Sequence, residues 1–277
     1  MFGATTVVTA PAAAPTGRLH GRRSGSEGGS GYSVAVNTAE GHGGSASIAV
    51  PDYWWYVARA DLLEVTLRSH VEGAGLALDL GSADGPSAAW FRESAQRTVS
   101  LDIDPRGLGA GGVCGSALAL PFDDGAFDAV SAFDVIEHCE PEATALAEVR
   151  RVLRPGGRFV MSVPAYQWAW TDFDVANGHH RRYTTGRAVS AVEAAGFTVQ
   201  RATYGFATVF PMFVVERLAR KVSRRRSSGP VDIVALPQLP APLNRALLGL
   251  SRVDRAVLGK RDLPFGSSVF LAATRAG

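Results

Sequence analysis

The chain has 277 residues, 46% of them hydrophobic and 19% charged, so it can bury a core and is not globally disordered. Its net charge is +2, and six of its 28 basic residues (Arg217, Arg220, Lys221, Arg224, Arg225 and Arg226) fall in one short stretch. The rest of the chain is net acidic, which excludes a phosphate-binding footprint spread over the whole domain. The two cysteines, Cys114 and Cys139, make neither a disulfide scaffold nor a four-ligand zinc site by themselves, and they fit a reducing, cytoplasmic setting.

Residues 1–48 are rich in Gly, Ser, Ala, Pro and Thr, a composition that cannot bury enough apolar surface to offset its ordering entropy. They read as a disordered tail ahead of one domain, 49–277. The start has no charged segment followed by a sustained apolar run, so no secretory signal is expected. The longest apolar stretch, 205–215, contains Pro211 and falls short of the ~20 residues that span a bilayer.

Tyr53, Trp54, Trp55 and Tyr56 open a helix expected to reach about Arg68, with Ala58, Leu62 and Val65 on one face. These aromatics either pack in the core or form a lid whose Trp or Tyr closes over substrate or cofactor, with Trp54 as the candidate substrate contact. Short apolar runs at 76–80, 98–101, 127–132 and 159–163 then alternate with helical patterns at 86–94 and 141–153. In the second pattern Leu146, Val149 and Leu153 recur at helical spacing, Pro141 falls in the first turn, and Pro155, Gly156 and Gly157 are expected to stop the helix. Alternation of this kind predicts an α/β fold with a doubly wound, mostly parallel sheet. Strands near 198–204 and 268–273 bracket helical patterns at 209–222 and 241–258, so residues 206–265 read as a helical cap inserted before the last strand.

In an open α/β sheet, ligands bind outside the carboxyl ends of the strands. After the first run comes a tight turn of small residues, Gly81 to Gly85, preceded by Asp79. After the second comes Asp102, placed to accept both hydroxyls of a ribose, then Ile103 and Asp104. The stretches "LDLGSADG", "SLDIDP", "LPFDDGAFDAVSAFDVIEH" and "LRPGGRFVMSVP" follow in this order.

On these four motifs the chain resembles the class I S-adenosylmethionine-dependent methyltransferases, specifically a large bacterial group of type 11-like enzymes, from about Ala74 to Tyr204. The resemblance implies a Rossmann-like seven-stranded sheet with an antiparallel last strand, and S-adenosyl-L-methionine as cofactor. It places Asp79, Gly81, Ser82 and Gly85 around the methionine and ribose of the cofactor, Asp102 on the ribose hydroxyls and Ile103 on the adenine. Ser116 stands where an acid often receives the adenine amine, and Phe133, at the end of the fourth strand, joins the cofactor set. The chain departs from the pattern at Ala83, where a central glycine is usual, and at Ser116 itself.

The resemblance further implies in-line methyl transfer to a small-molecule, glycosylated or lipid-linked acceptor, in which a general base is needed only if the acceptor loses a proton. His138 is either a base or a positioning residue. The segment from Pro164 to Tyr183 resembles the "PAY…W…D…GHxRRY" stretch of one subgroup. Tyr166, Trp170, Arg181 and Tyr183 are its candidate substrate contacts, and His179 or His180 its candidate bases. In the alternative, Asp172 or Asp174 pairs with Arg181 or Arg182 to pin the loop. No metal site is expected from Cys/His spacing. The basic run in the cap either touches an anionic membrane surface or is a solvated helix end. Two other functions compete: a nicotinamide-dependent oxidoreductase, which also uses a glycine turn followed by an acid, and a catalytically silent binding module.

Overall fold

The computed structural model describes residues 52–81, 88–224 and 239–277, with the side chains of Gly107, Ser223 and Arg224 left aside. The tail at 1–48, Ser82, Gly85 and the basic residues Arg225 and Arg226 therefore lie outside the described residues.

Seven strands form one sheet: β1 (Ala74–Leu80), β2 (Ala95–Asp102), β3 (Val113–Cys114), β4 (Phe127–Phe133), β5 (Leu153–Pro164), β6 (Phe197–Gly205) and β7 (Ser268–Arg275). Their order across the sheet is β3-β2-β1-β4-β5-β7-β6. The first five are parallel, and β7 runs antiparallel to both β5 and β6. The mostly parallel sheet is as the sequence pattern predicts, and the antiparallel last strand as the resemblance implies. The order reverses between β1 and β4, so the carboxyl ends of these two strands open the crevice where an α/β sheet takes its ligand.

Both faces of the sheet are covered, which explains why the central strands read as apolar runs rather than alternating ones. On one face lie α3 (Glu142–Val152) and α5 (Thr185–Ala194). Helix α3 turns Ala145, Leu146, Val149 and Val152 inward and carries Glu142 in its first turn and Arg150 and Arg151 in its last, charges that suit the helix dipole. On the other face lie α1 (Trp54–Val71), α2 (Ala89–Glu93) and α7 (Ala241–Leu258). There Trp54, Trp55, Tyr56, Leu62 and Leu67 share an apolar cluster with Ala77, Ala129, Val160 and Phe270 of the sheet.

The cap reading needs revision on this face. Leu247 and Leu258 of α7, together with Phe206 and Val209, belong to that same cluster, and α7 lies along α1. Helix α6 (Phe210–Arg224) presents an apolar surface outward, with Met212, Val215, Leu218 and Val222 each about half exposed or more, and α7 also exposes Leu243, Leu250 and Val253.

Two local expectations also change. Helix α3 ends at Val152 and Leu153 already begins β5, so Pro155, Gly156 and Gly157 do not stop it. They lie where the β4–β5 register jumps between the pairs Phe127–Leu153 and Ala129–Arg158, with Gly156 at φ +73°. Pro141 precedes the helix at its N-cap.

Candidate active site

At the carboxyl ends of β1 and β2, Leu80, Gly81, Leu101, Asp102, Ile103, Gly115, Ala117 and Val135 line a small pocket. Gly81 is required there twice over. Its φ is +74°, a left-handed conformation that costs other residues strain, and a Cβ on it would overlap Cγ2 of Val135. The backbone of the turn thus touches the segment that follows β4.

Asp79 is nearly fully buried. Its Oδ2 accepts from Arg92 of α2 at 2.8 Å and its Oδ1 from the Ser131 hydroxyl of β4 at 2.8 Å. It therefore braces the two flanks of the turn and the neighbouring strand. Asp102 is equally buried at the tip of β2, and its Oδ1 accepts the Asp104 amide at 2.8 Å. Asp104 instead pairs with Arg106 of its own turn and is held below the usual carboxylate range chiefly by that hydrogen bond. The two acids thus differ, and of the pair Asp102 lines the pocket.

Two of the expected cofactor contacts are placed elsewhere. Phe133 is buried against the rings of Trp90 and Phe91 of α2, in the core. The Oγ of Ser116 accepts the Leu118 amide at 3.2 Å, so it shapes a turn beside Gly115. Ile103 stays at the pocket wall.

Beyond β4 a buried polar network begins. Asp134 holds φ +56°, accepts from the Ser162 hydroxyl at 2.9 Å and pairs with Arg59 of α1 at 3.0 Å. Arg59 also donates to Ser162 and lies over the ring of Trp55. Nothing local in the sequence marks this link, because Arg59 and Ser162 are about a hundred positions apart. A 3₁₀ turn, Ile136–His138, then presents Glu137 and His138, both 1% exposed and, among the described residues, hydrogen-bonded by no other side chain. Burial raises the Glu137 carboxyl well above its ordinary range, with Asp134 adding to the shift, and burial together with His179 pushes the His138 imidazole well below its ordinary value.

The loop after β5 is closed by a parallel bridge between Ala165 and Tyr183. Its centre is Asp174, in the short helix α4 (Asp172–Ala176), where Asp174 meets Arg182 at 2.7 Å and Nδ1 of His179 at 3.0 Å. Burial alone would raise the Asp174 carboxyl, but the hydrogen bond from His179 and the Arg182 charge outweigh it and depress it. Arg182 also donates to the Ala165 carbonyl at 3.1 Å. Of the pairings considered from sequence, Asp174 with Arg182 is the one formed.

The remaining predicted contacts divide. Trp54 is core, edge-on to Phe206, and no lid. Tyr183 is buried with its hydroxyl donating to Glu142 at 2.6 Å and Arg187 over its ring, which leaves no face for a substrate. Arg181 donates to the Cys139 carbonyl and pairs with Glu140, so it fastens one loop to another. The His180 side chain is exposed, and its amide donates to the Glu137 carbonyl at 2.8 Å. Tyr166, at φ +61°, stacks between Trp168 and Tyr204, and Trp170 is half-buried. Arg217 turns inward, donating to the Thr171 hydroxyl at 2.6 Å, with burial and Arg182 pulling its pKa down to about 10. It cannot face a membrane, whereas Arg220 and Lys221 stay near the surface.

Residues 78–161 match the family model described as a methyltransferase domain. A demethylmenaquinone methyltransferase of Beutenbergia cavernae is 35% identical over 115 residues, covering 37% of this chain and 46% of that protein. A protein of Mycolicibacterium smegmatis named for S-adenosylmethionine-dependent methyl transfer is 28% identical over 163 residues, 55% of this chain and 62% of its own length. The chain thus spans only about half the length of these curated relatives. A chain from the solved complex containing the Haloferax volcanii Trm112 methyltransferase activator shares the fold, with a TM-score of 0.52 at 18% identity over 83% of this chain and 93% of that one. Residues 78–161 thus match a methyltransferase domain, and they lie in a seven-stranded sheet of order β3-β2-β1-β4-β5-β7-β6, the mostly parallel architecture that the class I resemblance implies.

Proposed function

We propose that the protein transfers a methyl group from S-adenosylmethionine to an apolar or lipid-linked acceptor. The observation that carries the cofactor half is the pocket that brings Gly81, Asp102, Ile103 and Gly115 together at the strand ends. These residues fit the group: Gly81 with no side chain of its own, a buried carboxylate for the ribose diol and an apolar wall for the adenine. S-adenosylmethionine would supply an electrophilic methyl on a sulfonium. The chain's task is to hold donor and acceptor in line and away from water, which accounts for most of the rate in such a displacement.

The acceptor half rests on aromatic surface. Tyr166, Trp168, Phe210, Phe213 and Phe265 form one connected group of rings at the carboxyl side of the sheet. Trp168 is 42% and Phe265 45% exposed, and the group continues into the outward apolar stripe of α6. An apolar stripe bordered by Arg220 and Lys221 suits the surface of an anionic membrane, where a lipid-linked acceptor resides. Relatives named for demethylmenaquinone and for sterol methylation act on molecules of that character. No helix among the described residues is long and apolar enough to cross a membrane.

The test supplies labelled S-adenosylmethionine with isoprenoid quinones, sterols and membrane lipid extracts, and follows label into the organic phase. Trp168→Ala should raise the apparent KM for the apolar acceptor about tenfold while leaving S-adenosylhomocysteine affinity unchanged. Label found only in water-soluble products would overturn the acceptor class.

A further inference from the structure

We propose that Glu137, His138 and His179 form a binding site for one divalent first-row transition-metal ion beyond the carboxyl end of β4. One ligand atom from each of these residues lies within 4.8 Å of the others. Ligand atoms sharing an ion at bonds of about 2.0–2.2 Å stand roughly 3–3.5 Å apart, so closing the trio on an ion takes side-chain shifts of about an ångström.

The donor set and its surroundings fit a cation better than they fit a core. Glu137 and His138 are 1% exposed, and among the described residues no other side chain hydrogen-bonds them; backbone groups of Asn177 and Gly178 are all that approach the His138 ring as donors or acceptors, a thin satisfaction for buried polar groups. The other charges nearby are already matched, Asp134 with Arg59 and Asp174 with Arg182, while Glu137 has no ion-pair partner among the described residues. The rings of His138 and His179 meet edge to face at 4.6 Å.

His179 is held as metal-binding histidines usually are. Its Nδ1 faces the Asp174 carboxylate at 3.0 Å, and Arg182 fixes that carboxylate in turn, an arrangement that orients the ring and leaves Nε2 with its lone pair. Two imidazoles and one carboxylate select Zn²⁺, Fe²⁺, Co²⁺ or Mn²⁺ over the all-oxygen sites that suit Mg²⁺. The turn holding Glu137 and His138 begins directly after Val135, which touches Gly81 of the cofactor turn. An ion here would be placed to bind and acidify an acceptor hydroxyl. That consequence rests on the methyl-transfer reading, whereas metal binding itself does not.

The experiment uses the full chain, stripped with a chelator and then titrated with Mn²⁺ followed by electron paramagnetic resonance, with Zn²⁺ in competition with a chromophoric chelator, and with Mg²⁺ as control. S-adenosylhomocysteine affinity is measured on the same samples. One Mn²⁺ or Zn²⁺ should bind per chain, and His179→Ala and Glu137→Gln should each weaken it by tenfold or more with S-adenosylhomocysteine affinity unchanged. Asp174→Asn should weaken it about tenfold through the orientation of His179. A visible d–d spectrum of the Co²⁺ form, lost in His179→Ala, would place the ion on that ring. Two results overturn the proposal: a folded wild-type chain that binds S-adenosylhomocysteine and takes up no Mn²⁺ or Zn²⁺, or uptake undiminished in His179→Ala. An ion bound by a chain that ignores S-adenosylhomocysteine would leave this site standing and count against the methyl-transfer reading.

Discussion

The Arg92 guanidinium meets the buried Asp79 carboxylate at 2.8 Å, joining the end of β1 to α2 across the cofactor turn. Asp79 is thereby a brace for the turn, and its mate Ser131 ties that brace to β4. Arg92→Ala takes the cation away from a buried carboxylate. It should destabilise the chain by about 1–3 kcal/mol, read from the urea midpoint. It should also raise the Kd for S-adenosylhomocysteine about tenfold by loosening the turn. An unchanged Kd would mean the turn is held without Arg92.

Gly81→Ala adds a Cβ at φ +74° against Val135. Strain at such a position is worth about 1–3 kcal/mol, and the clash adds to it. The variant should bind S-adenosylhomocysteine weakly or not at all. Adding Val135→Ala removes the clash and leaves the backbone strain, so the double variant should regain binding in part. Full recovery would show that φ is no constraint, and no recovery that the overlap with Val135 is not what matters.

Asp174 sets an acid limb on stability. Its carboxyl titrates lower folded than unfolded because His179 and Arg182 favour the ionised form over the opposing effect of burial. A depressed group contributes stability that is complete above its unfolded pKa, about 4, and is lost as pH falls below it. Asp174→Asn should cost about 3–5 kcal/mol at neutral pH by leaving Arg182 buried without its partner, and should flatten the decline below about pH 4. Denaturant midpoints for both proteins across pH 3–7 check this, and parallel curves would contradict it.

The two cysteines should differ in reactivity. Cys114 is exposed, whereas Cys139 is buried, its thiol pushed up to about 12 by burial and by Glu137. Iodoacetamide should add once to the native chain, at Cys114, and twice in urea. Two additions to the native chain, seen by mass spectrometry, would show that the Cys139 segment opens.

The strands are legible because each is a short apolar run bounded by turn residues, so local order in the sequence is local order in space. Strand β3, only Val113 and Cys114, is too short to carry a pattern. Aromatic and cationic residue types do not reveal their surroundings: Phe133 and Tyr183 spend their rings in the core, and Arg217 sits in a basic run yet is buried on Thr171. A charge run fixes composition, and only the helix face decides which cation turns inward. The polar groups behind β4 were hidden for another reason. Arg59, Asp134 and Ser162, and likewise His138 and His179, come from distant segments that only the sheet brings together, so no spacing rule finds them.

The central claim is that Asp102 and the Gly81 turn form an S-adenosylmethionine site, and isothermal titration of S-adenosylhomocysteine into wild type and Asp102→Ala, with NADH as the competing ligand, tests it most directly. The account predicts one site per chain for S-adenosylhomocysteine, none for NADH, and an affinity reduced by tenfold or more in Asp102→Ala, where about 1.4 kcal/mol corresponds to each factor of ten. Binding of NADH in its place, or S-adenosylhomocysteine affinity unchanged in Asp102→Ala, would contradict it.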